Sequence, residues 1–332
     1  MKLSMAYFFD QHKDKIAIAQ QLGVTSAVVN ASRKGEKVPE DGTWDFTAFQ
    51  TKVDVFRQNG IKVDVVESPT PLELTKLGLE GRDQEIEVFL SLLKIMDQLD
   101  IRTVCYNWMP VIGWYRSITD IPARGGATVT GYRHKMVEEL PLTEYGEVSA
   151  QHLWENLHYF LKAVVPEAEK YHVRLAVHPD DPPVSSIRGI SRILINADAF
   201  QRVIDMVPSP YNGITLCQGS FAAMGEDPKE MIRHFGERKK IFFAHFRDIR
   251  GHAEDFYETF HDDGQTDMYA CMKEYYRIGF DGCIRPDHVP TMLGEKNVNP
   301  GYSVMGNLYA VGYMKGLMTA AEREVCGCQA NS

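Results

Sequence analysis

The chain predicts a single (β/α)8 TIM barrel, and three observations carry that expectation. Short apolar runs rich in β-branched and aromatic residues recur eight times along its 332 residues. Each is followed by enough chain for a helix, and most gaps carry helical periodicity. Most runs are apolar throughout rather than alternating, as strands of a parallel barrel must be when both faces are buried.

Taken in order, KLSMAYF (2–8) precedes helical periodicity over 15–22, and VTSAVVN (24–30) precedes a helix over 45–59. IKVDVVE (61–67) leads to 83–99, and IRTVCYN (101–107) leads, after a long gap, to 150–171. VRLAVH (173–178) is followed by 198–207, and GITLC (213–217) by 228–235. IFFAHFR (241–247) is followed by 267–278, and GCIRPD (282–287) by 303–323. A doubly wound open sheet is the alternative arrangement, but no Gly-rich phosphate loop follows the first run.

The barrel is expected to occupy 1–323 as one domain. Residues 109–149 form an insertion after the fourth strand, at the C-terminal face, either a lid or a tolerated surface excursion. Trp108, Trp114, Tyr115 and Arg116 cluster at its root. The end of the chain, 324–332, with Cys326 and Cys328, reads as a flexible tail.

Composition narrows the function classes. A formal charge of −9 argues against a long-range pull toward nucleic acid or anionic lipid. No run is long enough to span a membrane and the start lacks a signal-peptide h-region. Six cysteines without dense regular spacing point to a reducing, cytoplasmic setting rather than a disulfide framework. No nucleophile elbow or P-loop occurs.

Polar residues at the C-terminal ends of barrel strands point into the mouth where such barrels do chemistry. His178 ends the fifth strand, Cys217 the sixth, His245 lies at the end of the seventh, and Asp287 ends the eighth. Each has an ordinary structural explanation alone, but four successive strands delivering one ligand-type side chain each point to a metal. Two imidazoles, a thiolate and a carboxylate suit a divalent transition ion better than calcium or magnesium. A closed tetrahedral zinc site remains open.

Asn107, Glu67, Asp180, Asp181, Arg247, Arg285 and His288 fall on the same rim. The arginines suit a substrate carboxylate, or else ion pairs with Asp180, Asp181 or Asp248. The acid-rich stretch HAEDFYETFHDDG, with His252 and His261, reads as a solvated loop.

DIRTVCYNWMPV, AVHPDDPP, CQGS, HFR, RPDH and NPGYSVMG occur in this order, and the run from about residue 60 to 323 resembles the mannonate dehydratase family, within the xylose-isomerase-like barrels. The resemblance implies a hydro-lyase converting D-mannonate to 2-keto-3-deoxy-D-gluconate in hexuronate catabolism. It implies metal ligation by His178, Cys217, His245 and Asp287, with Mn2+ as the usual ion and Fe2+, Co2+ or Zn2+ as alternatives. The acid and base roles fall on His288 and Tyr302, and substrate contacts on Asn107, Arg116, Arg247, Arg285 and Asp180. Self-association is an analogy only.

Removing a proton α to a carboxylate builds negative charge that a cation and nearby arginines can stabilise. The chain departs from the family at Val289, Pro290 and Thr291, at Trp114 to Ser117, in CQGS and in the opening MAYFFD. Dehydration of another aldonate and a sugar isomerase or epimerase on the same barrel therefore stay open. A DNA-repair endonuclease is disfavoured by the acidic charge, and a non-catalytic metal-binding protein is the remaining alternative.

Overall fold

The computed structural model describes residues 1–9, 12–33 and 35–327. Cys328 and the residues after it, part of the expected tail, lie outside the described residues.

Eight strands close into a parallel barrel: β1 (Lys2–Tyr7), β2 (Ser26–Val29), β3 (Lys62–Glu67), β4 (Thr103–Asn107), β7 (Arg174–His178), β10 (Asn212–Cys217), β11 (Ile241–Phe246) and β14 (Cys283–Pro286). These are the eight expected strands, seven of them trimmed by up to two residues at an end and β10 starting one residue earlier than expected. Their spatial order is β1-β14-β11-β10-β7-β4-β3-β2, and β2 pairs back to β1. The open-sheet alternative is thereby excluded.

The helices are α1 (His12–Gln21), α2 (Thr47–Gln58), α3 (Glu73–Leu77), α4 (Arg82–Gln98), α5 (Ala150–Lys170), α6 (Ala197–Met206), α7 (Gln218–Ala223), α8 (Pro228–Glu237), α9 (Met268–Arg277) and α10 (Val304–Cys326). Side-chain oxygens of Ser149, Asn196, Asp267 and Ser303 accept backbone N–H groups in the first turns of α5, α6, α9 and α10. Asp227 does the same for α8, with Pro228 at its first position, where no intrahelical N–H is needed. The short α3 and α7 were not legible, being too brief for a helical period.

Alternation along each strand divides the core in two. Outward residues such as Val66, Val104, Leu175, Ile214, Leu216 and Ile284 pack against the helices in the main cluster. Inward residues Val65, Cys105, Ala176, Phe243 and Cys283 form a second cluster inside the barrel, and Thr215 donates to Cys105 Sγ there. Two residues further along the same inward faces stand Glu67, Asn107, His178, Cys217, His245 and Arg285. The rim of functional side chains thus rests on a packed, mostly apolar floor.

The insertion after β4 holds β5 (Ile118–Pro122) and β6 (Thr128–Arg133). They join a second hairpin, β12 (Ile249–His252) and β13 (Asp255–Glu258), in one antiparallel sheet of order β12-β13-β6-β5. This sheet rises from the C-terminal ends of β4 and β11 and forms a roof. A small ribbon, β8 (Ser186–Ile187) with β9 (Ile190–Ser191), follows β7.

Two expectations need correction. The stretch around His261 is not solvated: His261 is fully buried and Nε2 donates to the Phe246 carbonyl at 2.7 Å, whereas His252 is exposed. The tail does not begin at 324, because α10 continues to Cys326; Glu324 holds that last turn by accepting from Tyr269 Oη at 2.6 Å and Lys273 Nζ at 3.0 Å. No helix among the described residues is long and apolar enough to cross a membrane.

Candidate metal centre and active site

Strand register brings the expected ligands together. Cys217 is level with His245 across β10 and β11, and His245 with Arg285 across β11 and β14. Among the described residues, donor atoms of His178, Cys217 and His245 lie within 4.8 Å of one another. Asp287 Oδ2 lies 3.8 Å from Cys217 Sγ and 3.5 Å from His245 Nδ1.

The protonation pattern suits a cation. His178 Nδ1 lies 2.7 Å from the Pro179 carbonyl, which only accepts, so Nδ1 carries a hydrogen and Nε2 is the nitrogen turned toward the other candidate ligands. That Nε2 faces His245 Nδ1 at 3.1 Å. Burial opposes ionisation of Cys217, but Arg247 and then His178 and His245 hold its thiol well below the usual range. Burial likewise opposes ionisation of Asp287, and the neighbouring His288, Arg285 and His245 reverse it. Burial and Arg285 oppose a charge on His245, yet Glu67 and Asp287 push it up to about 10. Thiolate sulfur, carboxylate oxygen and imidazole nitrogens converge here, a donor set that fits a divalent transition ion able to displace the proton on His245.

Glu67, Cys105 and His245 make a second cluster of the same size. It is a poorer site: burial pushes the Cys105 thiol well up, and Glu67 is clamped by Arg285 at 2.8 and 3.0 Å. Arg285 also donates to Asp287 Oδ1 at 2.8 Å. It holds Glu67 ionised, against burial, with a pKa of about 2.

Beside the ligands runs a buried ionic network. Arg116 grips Asp181 through two bonds of 2.6 and 2.8 Å and Glu258 at 2.6 Å. Arg247 reaches Asp181 and Asp287 at 2.8 and 3.0 Å, donates to Ser220 and Cys217, and pairs with Glu258. His288 Nδ1 lies 3.0 Å from Glu258 Oε1, and its ring is 5.0 Å from Trp114 and 5.5 Å from Tyr302. Burial, then Asp287, pushes the Tyr302 phenol up.

Several expected contacts take on other duties. Arg247 and Arg285, expected to clamp a substrate carboxylate, are 1% exposed and spend their donors on protein acceptors, with Asp181 rather than Asp180 or Asp248 as the nearby partner of Arg247. Arg116 is saturated at its two terminal nitrogens, whereas Nε is buried without a partner. Asp180 Oδ2 accepts the backbone N–H groups of Ile193 and Leu194, both at 2.8 Å, and so braces the loop after β7. Asn107 stands level with His178 and accepts from Lys76 Nζ at 3.2 Å. Glu258 was missed; the one available signal was the alternation of DFYE, in which Phe256 and Glu258 are buried and Asp255 and Tyr257 exposed.

The profile of the D-mannonate dehydratase (UxuA) family matches residues 1–144 and 139–326. The chain belongs to the D-mannonate dehydratase family. That places it among hydro-lyases. It is 34% identical to the mannonate dehydratase of Thermotoga maritima, over 97% of this chain and 98% of that one. Mannonate dehydratase 2 of Halalkalibacterium halodurans is 34% identical over 96% of this chain and 99% of its own. The crystal structure of mannonate dehydratase from Streptococcus suis serotype 2 superposes with a TM-score of 0.89 at 29% identity, covering all of this chain and 98% of that one. A D-tagatose 3-epimerase-like protein, at 14% identity and TM-score 0.64, shares the fold.

Proposed function

We propose that this member of the family removes water from D-mannonate to give 2-keto-3-deoxy-D-gluconate, a step of hexuronate breakdown. The observation that carries the reading is the placement of His288 and Tyr302, edge to face at 5.5 Å, directly beside the ligand Asp287. His178, Cys217, His245 and Asp287 are the residues that would hold a divalent ion, for which Mn2+ is our first choice. When bound, such an ion supplies Lewis-acid stabilisation of the negative charge that develops on the substrate carboxylate.

The chain's own groups handle the protons. One of His288 and Tyr302 takes the C2 proton, and the other delivers a proton to the departing 3-hydroxyl, which leaves as water. The enol formed between C2 and C3 then becomes the 2-keto acid by gaining a proton at C3 and losing the one on the C2 hydroxyl. Asn107 and the unpartnered Nε of Arg116 are the remaining polar groups we assign to substrate. The roof sheet would exclude water above them, which is the lid role of the 109–149 insertion.

Metal-stripped protein, offered a panel of aldonates with and without Mn2+, tests this by formation of the 2-keto-3-deoxy acid. Metal-dependent product from D-mannonate is expected. Product from another aldonate alone would move the substrate and keep the chemistry. Silence across the panel with metal restored would overturn the dehydratase reading.

A further inference from the structure

Glu258 comes from the roof, not from the barrel. It ends β13, the strand that pairs with β6 of the insertion, and it is level with Ile249 of β12. Alternation turns its side chain inward, where it is 1% exposed. A single oxygen, Oε1, meets three groups there: Arg116 Nη2 at 2.6 Å, Arg247 Nη1, and His288 Nδ1 at 3.0 Å.

We propose that Glu258 is a positioning residue that sets the tautomer and orientation of His288. The inference rests on His288 being one of the acid–base pair. A carboxylate paired with two guanidiniums can only accept, so the 3.0 Å contact requires a hydrogen on His288 Nδ1. Arg116 Nη2, which only donates, stands further from the same nitrogen at 3.4 Å. With Nδ1–H committed to the roof, Nε2 is the nitrogen left to exchange a proton with substrate. It lies on the ligand side, 3.8 Å from Asp287 Oδ1.

Three contacts then fix the ring: Glu258 at Nδ1, the Trp114 ring at 5.0 Å and the Tyr302 ring at 5.5 Å. Two of these partners, Glu258 and Trp114, come from roof hairpins or the segments leading into them. The proton-handling histidine is therefore aligned from above, while the metal ligands are aligned by the barrel below. Removing Glu258 leaves the imidazole free to change tautomer and tilt, which lowers the chemical step rather than substrate binding.

The test is a double-mutant cycle on metal-loaded protein with Glu258→Gln, His288→Gln and the pair, reading kcat, KM and metal content. Glu258→Gln is expected to lower kcat by about tenfold to a hundredfold with KM and metal content held within roughly threefold. In the His288→Gln background the same change should cost nothing further. An equal loss in both backgrounds, or a loss confined to KM, would overturn the proposal. Near-normal turnover by His288→Gln alone would instead overturn the acid–base reading beneath it.

Should Glu258→Gln fail to fold, 15N spectra of histidine-labelled, Zn2+-loaded wild type decide the matter, with His288→Gln assigning the signal. A protonated Nδ1 at His288 supports the proposal. A protonated Nε2 with bare Nδ1 overturns it.

Discussion

Replacing His261 with glutamine should flatten the acid side of the protein's stability profile. His261 is fully buried in the loop after β13, its ring stacked 6.2 Å from Phe246 and its Nε2 bonded to the Phe246 carbonyl. Burial pushes its pKa from 6.5 down to about 4, against the pull of that carbonyl and of nearby acids. The unfolded chain therefore binds a proton here before the folded one does. The stability this histidine contributes is full above 6.5 and is lost as pH falls toward 4. At 1.36 kcal/mol per pH unit the whole loss is about 3 kcal/mol, and roughly 2 kcal/mol of it has occurred by about pH 5. Glutamine can still donate to the Phe246 carbonyl but does not titrate. Urea unfolding of both proteins at about pH 8 and about pH 5 isolates the effect, because other titrating groups cancel in the difference. Wild type should lose about 2 kcal/mol more than His261→Gln between the two conditions. Equal losses would refute the claim that His261 is buried neutral.

Cys217→Ser should keep the fold and weaken divalent-metal affinity by at least about tenfold, because a serine hydroxyl does not ionise in the thiolate's place; metal titration with circular dichroism checks both halves. Arg116→Met should cost about 3–5 kcal/mol in urea unfolding, since it leaves Arg247 alone to offset the buried carboxylates of Asp181 and Glu258. Gly264→Ala should destabilise by roughly 1–3 kcal/mol, because a methyl group there would overlap the Asp248 carboxylate that ties Thr266. An unchanged unfolding midpoint for either of these last two would contradict the packing described.

The barrel and the convergence of its candidate ligands were legible because both depend on local pattern. Eight apolar runs mark eight strands, and the last inward residue of a parallel strand reaches the mouth, so the places of His178, Cys217 and His245 follow from strand ends alone. The roof was not legible. β13 and β6 pair with each other from distant parts of the chain, as at Tyr132 and Phe256. Without that pairing, HAEDFYETFHDDG looks like a solvated loop, and neither Glu258 nor His261 appears as a buried residue. The arginines show the same limit: composition announced ion pairs, but the choice of Asp181 over its neighbour Asp180 depends on which way the loop after β7 turns. Asp180 faces the amides of Ile193 and Leu194 instead.

On the proposed assignment, barrel strands present the candidate metal ligands while the roof aligns His288, so the two halves of the chemistry mature on different clocks. Ligands on adjacent strands meet as soon as β7, β10, β11 and β14 are in register. The roof joins β6 to β13 across most of the intervening barrel sequence, a contact whose loop-closure entropy is met only once the barrel has drawn both hairpins to one face. A refolding chain should thus recover its ion before it recovers turnover, and a nick in either hairpin would leave a barrel that holds metal without doing chemistry.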